Sequence, residues 1–151
     1  MFPESYQLRT MDLQDIDAVM AIEVRAYPHP WTIGNFRDCL SSGYKAYVLE
    51  AEGEIIGYAL LSCAAGEAHV LNICIRPESQ GKGLGRTLLH ALEREARQSK
   101  VDMMLLEVRA SNRAAIMLYE SMGFNELGCR KNYYPSHQGR EDALVMALQF
   151  F

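Results

Sequence analysis

No stretch of this sequence stays apolar for the roughly 20 residues that a bilayer-spanning helix requires, so a membrane partner is not expected. The first residues include Glu4 and lack a basic segment leading into an apolar one, which argues against export and for a cytoplasmic location. Cysteine is sparse. Cys39, Cys63, Cys74 and Cys129 form no Cys-x-x-Cys pair, and each lies among apolar neighbours, so reduced and buried thiols are expected. His29, His69, His90 and His137 make no metal-spaced cluster with them or with acids, and no metal is expected. Basic charge is not in excess: the formal net charge is −4, which disfavours direct nucleic-acid binding and suits a basic partner. Repeats, low-complexity tracts and linkers are missing as well. The 151 residues read as one domain, residues 1–151, large enough to bury about two thirds of its unfolded surface.

What is present is a regular alternation of strand and helix patterns. Tyr6 to Arg9 reads as a first strand, and Thr10 is placed to cap a helix with Leu13, Ile16, Val19, Met20 and Glu23 inward. The prolines of Tyr27-Pro28-His29-Pro30-Trp31 force an extended loop, after which Thr32 caps a helix carrying Phe36 and Leu40. Strands at Ala46 to Ala51 and Ile55 to Cys63 flank a hairpin turn at Glu52-Gly53. His69 to Ile75 is the next strand and Leu84 to Arg97 an amphipathic helix. Asp102 to Arg109 is so apolar that a central strand covered on both faces is expected, joined to the strand before it by a parallel crossover. A helix capped by Ser111 or Asn112 ends at Gly123. Leu127 to Tyr133 and Ala143 to Leu148 close the sheet around a loop from Pro135 to Arg140. The order β-α-α-β-β-β-α-β-α-β-β implies an α+β fold, a mixed sheet covered by helices.

The run Gln80-Gly81-Lys82-Gly83-Leu84-Gly85-Arg86 joins strand to helix. Three glycines let a ligand approach the backbone closely, and the first amides of a helix carry the positive end of its dipole. Such a turn suits phosphate or pyrophosphate, although a turn that binds nothing has the same composition. A Walker loop is ruled out, because Arg76 stands where its first glycine belongs and Gly83 where its Ser or Thr belongs. A dinucleotide fingerprint fits poorly, since its third glycine comes one residue early. Glu107 does lie about where the ribose-binding acid of such a site would fall. The spacing Gln80-x-x-Gly83-x-Gly85 resembles the coenzyme A pyrophosphate loop of the GNAT acetyltransferases. That family's fold has the element order read above, with a parallel strand pair that splays to admit the pantetheine arm.

Acetyl transfer to an amine needs a proton acceptor, a proton donor, stabilisation of the carbonyl oxygen and alignment of both substrates. Glu107 is the carboxylate inside the most apolar strand, and burial is expected to raise its pKa; alternatively it pairs with Arg109 at a strand end. Tyr119 is either a neutral phenol able to donate a proton or a core tyrosine beside Ala115 and Ile116. A backbone amide at the end of Ile73-Cys74-Ile75 serves as oxyanion donor. Cys74 reads as a nucleophile or, with no His nearby in sequence, as a packed thiol. Asn112 is a plain helix cap or a cap that also offers its amide to a ligand.

Three further blocks narrow the resemblance to RimI-type GNAT N-acetyltransferases. They are Leu106-Glu107-Val108-Arg109-Ala110-Ser111-Asn112 running on to Tyr119 and Gly123-Phe124; Arg130-Lys131-Asn132-Tyr133-Tyr134-Pro135 with Gly139 to Ala143; and Pro30-Trp31. The resemblance implies acetyl-CoA as co-substrate and, as acceptor, the N-terminal alanine of the eighteenth small-subunit ribosomal protein, a basic partner. It makes Glu107 the proton acceptor and Tyr119 the donor. It puts coenzyme contacts on Ile73, Cys74, Ile75, Gly81, Lys82, Gly83, Leu84, Gly85, Arg86 and Asn112. For the basic peptide, Glu23, Glu141 and Asp142 are candidate acids, and Tyr27, Trp31 and Tyr134 candidate walls around a small first residue. Acetylation of small amines or lysine side chains, a non-catalytic coenzyme A-binding module and a dinucleotide oxidoreductase are the competing readings.

Overall fold

A computed structural model describes residues 5–150, and Glu4 lies outside them. The strands are β1 (Tyr6–Thr10), β2 (Lys45–Ala51), β3 (Glu54–Ala64), β4 (Glu67–Ile75), β5 (Met103–Arg109), β6 (Asn125–Ser136) and β7 (Gly139–Gln149). The helices are α1 (Ile16–Ala26), α2 (Ile33–Ser41), α3 (Leu84–Gln98) and α4 (Arg113–Ser121), with short 3-10 turns at Leu13–Asp15 and Pro77–Ser79. The order of strands and helices matches the expected one. The mixed sheet runs β1-β2-β3-β4-β5-β7-β6. Contacts gather the chain into two compact units, Met1–Ser62 with Leu71–Glu95, and Cys63–Val70 with Ala96–Phe151.

In the first unit, β1, β2 and β3 pair antiparallel, and the β2–β3 turn places Glu52 at φ 53° and Gly53 at φ 83°. Both central residues of a primed hairpin turn need that left-handed conformation. The helix that follows β1 is not capped by Thr10, which stays in the strand opposite Tyr47. Asp12 caps instead: it accepts Gln14 N at 2.8 Å while Asp15 reaches back to Asp12 N at 2.8 Å. This reciprocal arrangement turns Leu13 outward, 66% exposed, against the expectation of an inward side chain. Thr32 and Asn35 form a second reciprocal cap at α2, as its sequence predicts. Ile16, Val19, Ile22, Phe36, Val48, Tyr58, Leu60 and Cys74 form one buried cluster, with Tyr58 edge-on to Phe36 at 5.9 Å. Leu84, Leu88, Leu89 and Leu92 of α3 are buried.

In the second unit, β4 and β5 form a parallel ladder from Glu67↔Met103 to Val70↔Leu106, and β5 pairs antiparallel with β7 along its length. Burial alternates along β5. Met104, Leu106 and Val108 are enclosed, while Met103, Leu105, Glu107 and Arg109 are only partly covered. The expectation of cover on both faces therefore holds for one face only: the other is partly covered. Asn112, not Ser111, caps α4 by accepting Ala115 N. The helix closes through Gly123 at φ 101°, with Gly123 N bonded to Glu120 O and Phe124 N to Tyr119 O. This is the paired closure that a left-handed glycine makes possible, and the Phe124 ring packs 5.9 Å from Tyr119.

The last two strands are longer than the sequence suggests. Tyr134–Ser136 pairs with Gly139–Glu141, so the expected loop from Pro135 to Arg140 shrinks to a tight turn at residues 137–138. Between Arg130↔Ala143 and Tyr134↔Glu141, three residues of β6 oppose the single Asp142 of β7. Asn132 takes φ 52° in that bulge. Of the cysteines, Cys39 and Cys74 are buried as expected, but Cys63 is only partly covered and Cys129 is exposed on β6.

One glycine is fixed by close approach. A Cβ on Gly57 would lie 2.7 Å from Ile75 Cδ1 and 2.9 Å from Cys74 O, and the second atom belongs to the β4 backbone. Gly57→Ala should therefore destabilise by about 1–3 kcal/mol. That corresponds to a fall of about 2–4 °C in melting temperature per kcal/mol for a chain of this size, read by calorimetry.

Candidate active site

The glycine loop leaves β4 through a stitched turn. Arg76 Nε bonds Ser79 Oγ at 2.9 Å, Ser79 N bonds Arg76 O at 3.0 Å, and Ser79 is buried. Gln80 sends its Nε2 back to Ile75 O at 2.9 Å, so its side chain satisfies the carbonyl that ends the strand. Gly81 and Gly83 follow at φ 80° and 78°, and an added Cβ on Gly81, Gly83 or Gly85 would meet nothing within 4 Å. These glycines serve backbone shape and leave open space above the loop. Thr87 N and Thr87 Oγ1 both bond Gly83 O, at 3.1 and 3.0 Å, which fixes the first turn of α3. The leading amides of α3 lie ahead of that bond. Gly81, Lys82, Gly83 and Arg86 are exposed, whereas Leu84 is buried as an anchor. This is the geometry of an anion site, and it fits the pyrophosphate of a coenzyme.

The strand before the loop is held from beneath. Tyr27 Oη donates to Ile73 O at 2.9 Å. Cys74 is 6% exposed, and burial pushes its thiol up, so it is a packed thiol rather than a nucleophile. Glu23 is 1% exposed, and its two oxygens accept Tyr58 Oη at 2.7 Å, Asn72 Nδ2 at 2.9 Å and Trp31 N at 2.9 Å. A carboxyl group so enclosed is not presented to a passing peptide; it ties the Tyr27–Trp31 loop to β3 and β4. Trp31 itself is half-buried, its ring 5.0 Å from Phe36.

In the second unit Glu107 is the first β5 residue beyond the ladder with β4. Its side chain is 10% exposed, with His69 Nε2 at 2.7 Å from Oε1 and Arg130 Nε at 3.7 Å from Oε2. The expected Arg109 pairing is not made; Arg109 binds Glu141 at 3.0 Å and Pro135 O at 2.8 Å. Nor does burial decide the titration of Glu107. Burial pushes the carboxyl up, but His69 and then Arg130 outweigh it and hold it below the usual carboxylate range. Tyr119 is pushed up to about 12 by burial, and its hydroxyl bonds no protein group among the described residues. Tyr134 is likewise pushed up to about 12, first by burial and then by the Glu107 charge, and Arg109 stacks 4.5 Å from its ring centre. Glu107, Tyr119 and Tyr134 thus share one electrostatic neighbourhood. Asn112 caps α4 through Oδ1, and its Nδ2 has no hydrogen-bond partner among the described residues.

The remaining peptide candidates have internal partners. Glu141 accepts Arg109 and, at 3.1 Å, Ser111 N. Asp142 accepts Asn132 N at 2.9 Å and Lys131 Nζ at 3.3 Å, filling the β6 bulge. His69 is the residue that sequence reasoning missed. Strand alternation together with the parallel crossover would have put it on the same face as Glu107. Among the described residues no group of His, Cys, Asp and Glu is placed to hold a metal ion, and no helix is long and apolar enough to cross a membrane.

Comparison with known proteins bears on this geometry as a whole. The [Ribosomal protein bS18]-alanine N-acetyltransferase of Escherichia coli K12 is 42% identical over 93% of this chain and 95% of its own. The crystal structure of the ribosomal-protein-S18-alanine N-acetyltransferase from Escherichia coli superposes with a TM-score of 0.90, at 41% identity, covering 95% of this chain and 93% of that one. A putative acetyltransferase from Salmonella typhimurium, solved with its cofactor acetyl-CoA, gives a TM-score of 0.80 at 25% identity over 98% of this chain and 95% of that one. The model of the acetyltransferase (GNAT) family matches residues 16–124, a span that takes in the glycine loop, Glu107 and Tyr119. The chain therefore belongs to the GNAT family of acetyltransferases.

Proposed function

We propose that this enzyme transfers the acetyl group of acetyl-CoA directly to the N-terminal α-amine of alanine on ribosomal protein bS18, in a ternary complex. The observation that carries this acceptor is the identity of 42% over 93% of the chain to a relative named for that reaction. Within this reading the enzyme works in the cytoplasm on a basic ribosomal-protein tail and needs neither nucleic acid nor a membrane.

Bound acetyl-CoA supplies an acyl group activated as a thioester. The amides from Gly81 to Arg86 hold its pyrophosphate at the start of α3, with Lys82 and Arg86 adding positive charge. The backbone of Ile73, Cys74 and Ile75 aligns the pantetheine arm, and Asn112 Nδ2 offers it a further donor. Glu107 accepts the proton of the attacking amine, directly or through a water. Tyr119 keeps its phenolic proton far above neutral pH, ready for the departing sulfur. Tyr27, Trp31 and Tyr134 wall the small first residue of the peptide. Glu141 and Asp142 attract basic residues only in competition with Arg109 and Lys131. Glu23 acts on the peptide through the loop it pins.

A carboxylate held below its usual range stays charged throughout neutral and alkaline pH. The limiting protonation is then that of the substrate, whose α-amine titrates near ~8. The value of kcat/KM for a basic alanine-initiated peptide should rise with pH to a midpoint near ~8. A midpoint near ~6 would instead signal a Glu107 raised by burial. Glu107→Gln should lower kcat about a hundredfold or more while changing the Kd for acetyl-CoA less than about twofold, as read by steady-state kinetics and calorimetry. Tyr119→Phe should lower kcat about tenfold and leave the melting temperature within about 2 °C, because the lost hydroxyl bonds no protein group among the described residues. Mass spectrometry of that peptide against spermidine and an N-blocked lysine peptide tests the acceptor. Preference for either alternative overturns the bS18 assignment.

A further inference from the structure

His69 has no part in the scheme above, yet it makes the shortest contact to the carboxylate at its centre. In the parallel ladder it lies opposite Leu105, one pair before the ladder reaches Val70↔Leu106. Side chains alternate along a strand, so Leu105 and Glu107 project to the same face, and His69 reaches Glu107 on the diagonal. The result is a 2.7 Å bond from Nε2 to Oε1, between an imidazole that is 35% exposed and a carboxyl that is 10% exposed. An ionised carboxylate only accepts, so the imidazole nitrogen carries the hydrogen and donates it. The second oxygen is in a different position. Its neighbour Arg130 Nε is 3.7 Å away, an ion-pair distance but too long for a hydrogen bond. The two oxygens of Glu107 are therefore not equivalent.

We propose that His69 is a positioning residue for Glu107: its Nε2–H locks Oε1 and so reserves Oε2 for the proton taken from the attacking amine. In that step the neutral amine attacks the thioester carbon with its own lone pair, the N–H bond of the resulting cationic nitrogen breaks with its electron pair left on nitrogen, and an O–H bond forms at Oε2. The inference rests on Glu107 as proton acceptor, and it assigns to this chain a dyad that strengthens the geometry of the acid without adding a second base. Arg130, 56% exposed, stays on the far oxygen as a loose counter-charge rather than a clamp.

A double-mutant cycle between positions 69 and 107 tests it. His69→Ala should lower kcat about tenfold with both KM values within about twofold, since a donor to a charged acceptor is lost but no substrate contact is. His69→Gln, whose amide N–H reaches the same oxygen, should restore most of the rate. In the Glu107→Gln background, His69→Ala should cost nothing further, because the oxygen it positions no longer takes a proton. An unchanged kcat in His69→Ala overturns the proposal. So does an equal loss in both backgrounds, a rise in KM alone, or a thermal melt showing that His69→Ala fails to fold. If Glu107→Gln is inactive while His69→Ala is normal, only the role of His69 falls; if Glu107→Gln is fully active, the proton acceptor itself is lost and both fall.

Discussion

A buried carboxyl group, with no ion-pair partner among the described residues, ties together three segments of the first unit. Glu23 sits in the core at 1% exposure and accepts from Trp31 N, Tyr58 Oη and Asn72 Nδ2. A buried polar group left unmatched costs about 1–3 kcal/mol, so these donors are not interchangeable decorations. They come from the proline-rich loop, from β3 and from β4. Fixing one acid therefore fixes where the loop returns and how β4 lies. Tyr27 adds a second tie from the same loop to Ile73 O. The backbone that leads to the glycine turn is thus set by side chains distant from it in sequence. Gly57, which admits β4 to within a Cβ radius, is the steric counterpart of those polar ties.

Much of this was legible in the residues. The Thr32 cap, the Glu52-Gly53 hairpin, the amphipathic α3 and the Gly123 stop follow from local chemistry, and each stands where its spacing puts it. The glycine loop was legible for the same reason, since left-handed backbone and open space are properties of glycine itself. Errors arose where a local preference met a stronger tertiary competitor. Thr10 is a good cap, but it is already committed to pairing with Tyr47, and the Asp12–Asp15 pair takes over. The run from Pro135 to Arg140 looks like a loop because Pro135 and Gly139 suggest one. A proline at the sheet margin loses no ladder bond, so the strands continue through it.

Glu107 is governed by its partners rather than by its burial. Its location within an apolar strand was clear, and burial was the natural perturbation to expect. Partners decided otherwise, and neither partner is close in sequence: His69 and Arg130 arrive from other strands. In the role proposed for Glu107, a carboxylate held low is a weaker base than one raised by desolvation, which suits an acceptor amine that gives up its proton easily. Glu23, Glu141 and Asp142 make the same point from the other side. Read as free acids, each is engaged by the protein's own donors.

The bulge in β6 reaches beyond the site. β6 ends the sheet order and most of its residues are exposed, so one side of it is a sheet edge among the described residues. Asn132 breaks the pleat there, and Arg140 claims the carbonyls of Asn132 and Tyr133 at 3.1 and 2.9 Å. Pro135 adds a missing donor on the same strand. A strand arriving at this border would therefore meet a broken pleat and two carbonyls already taken.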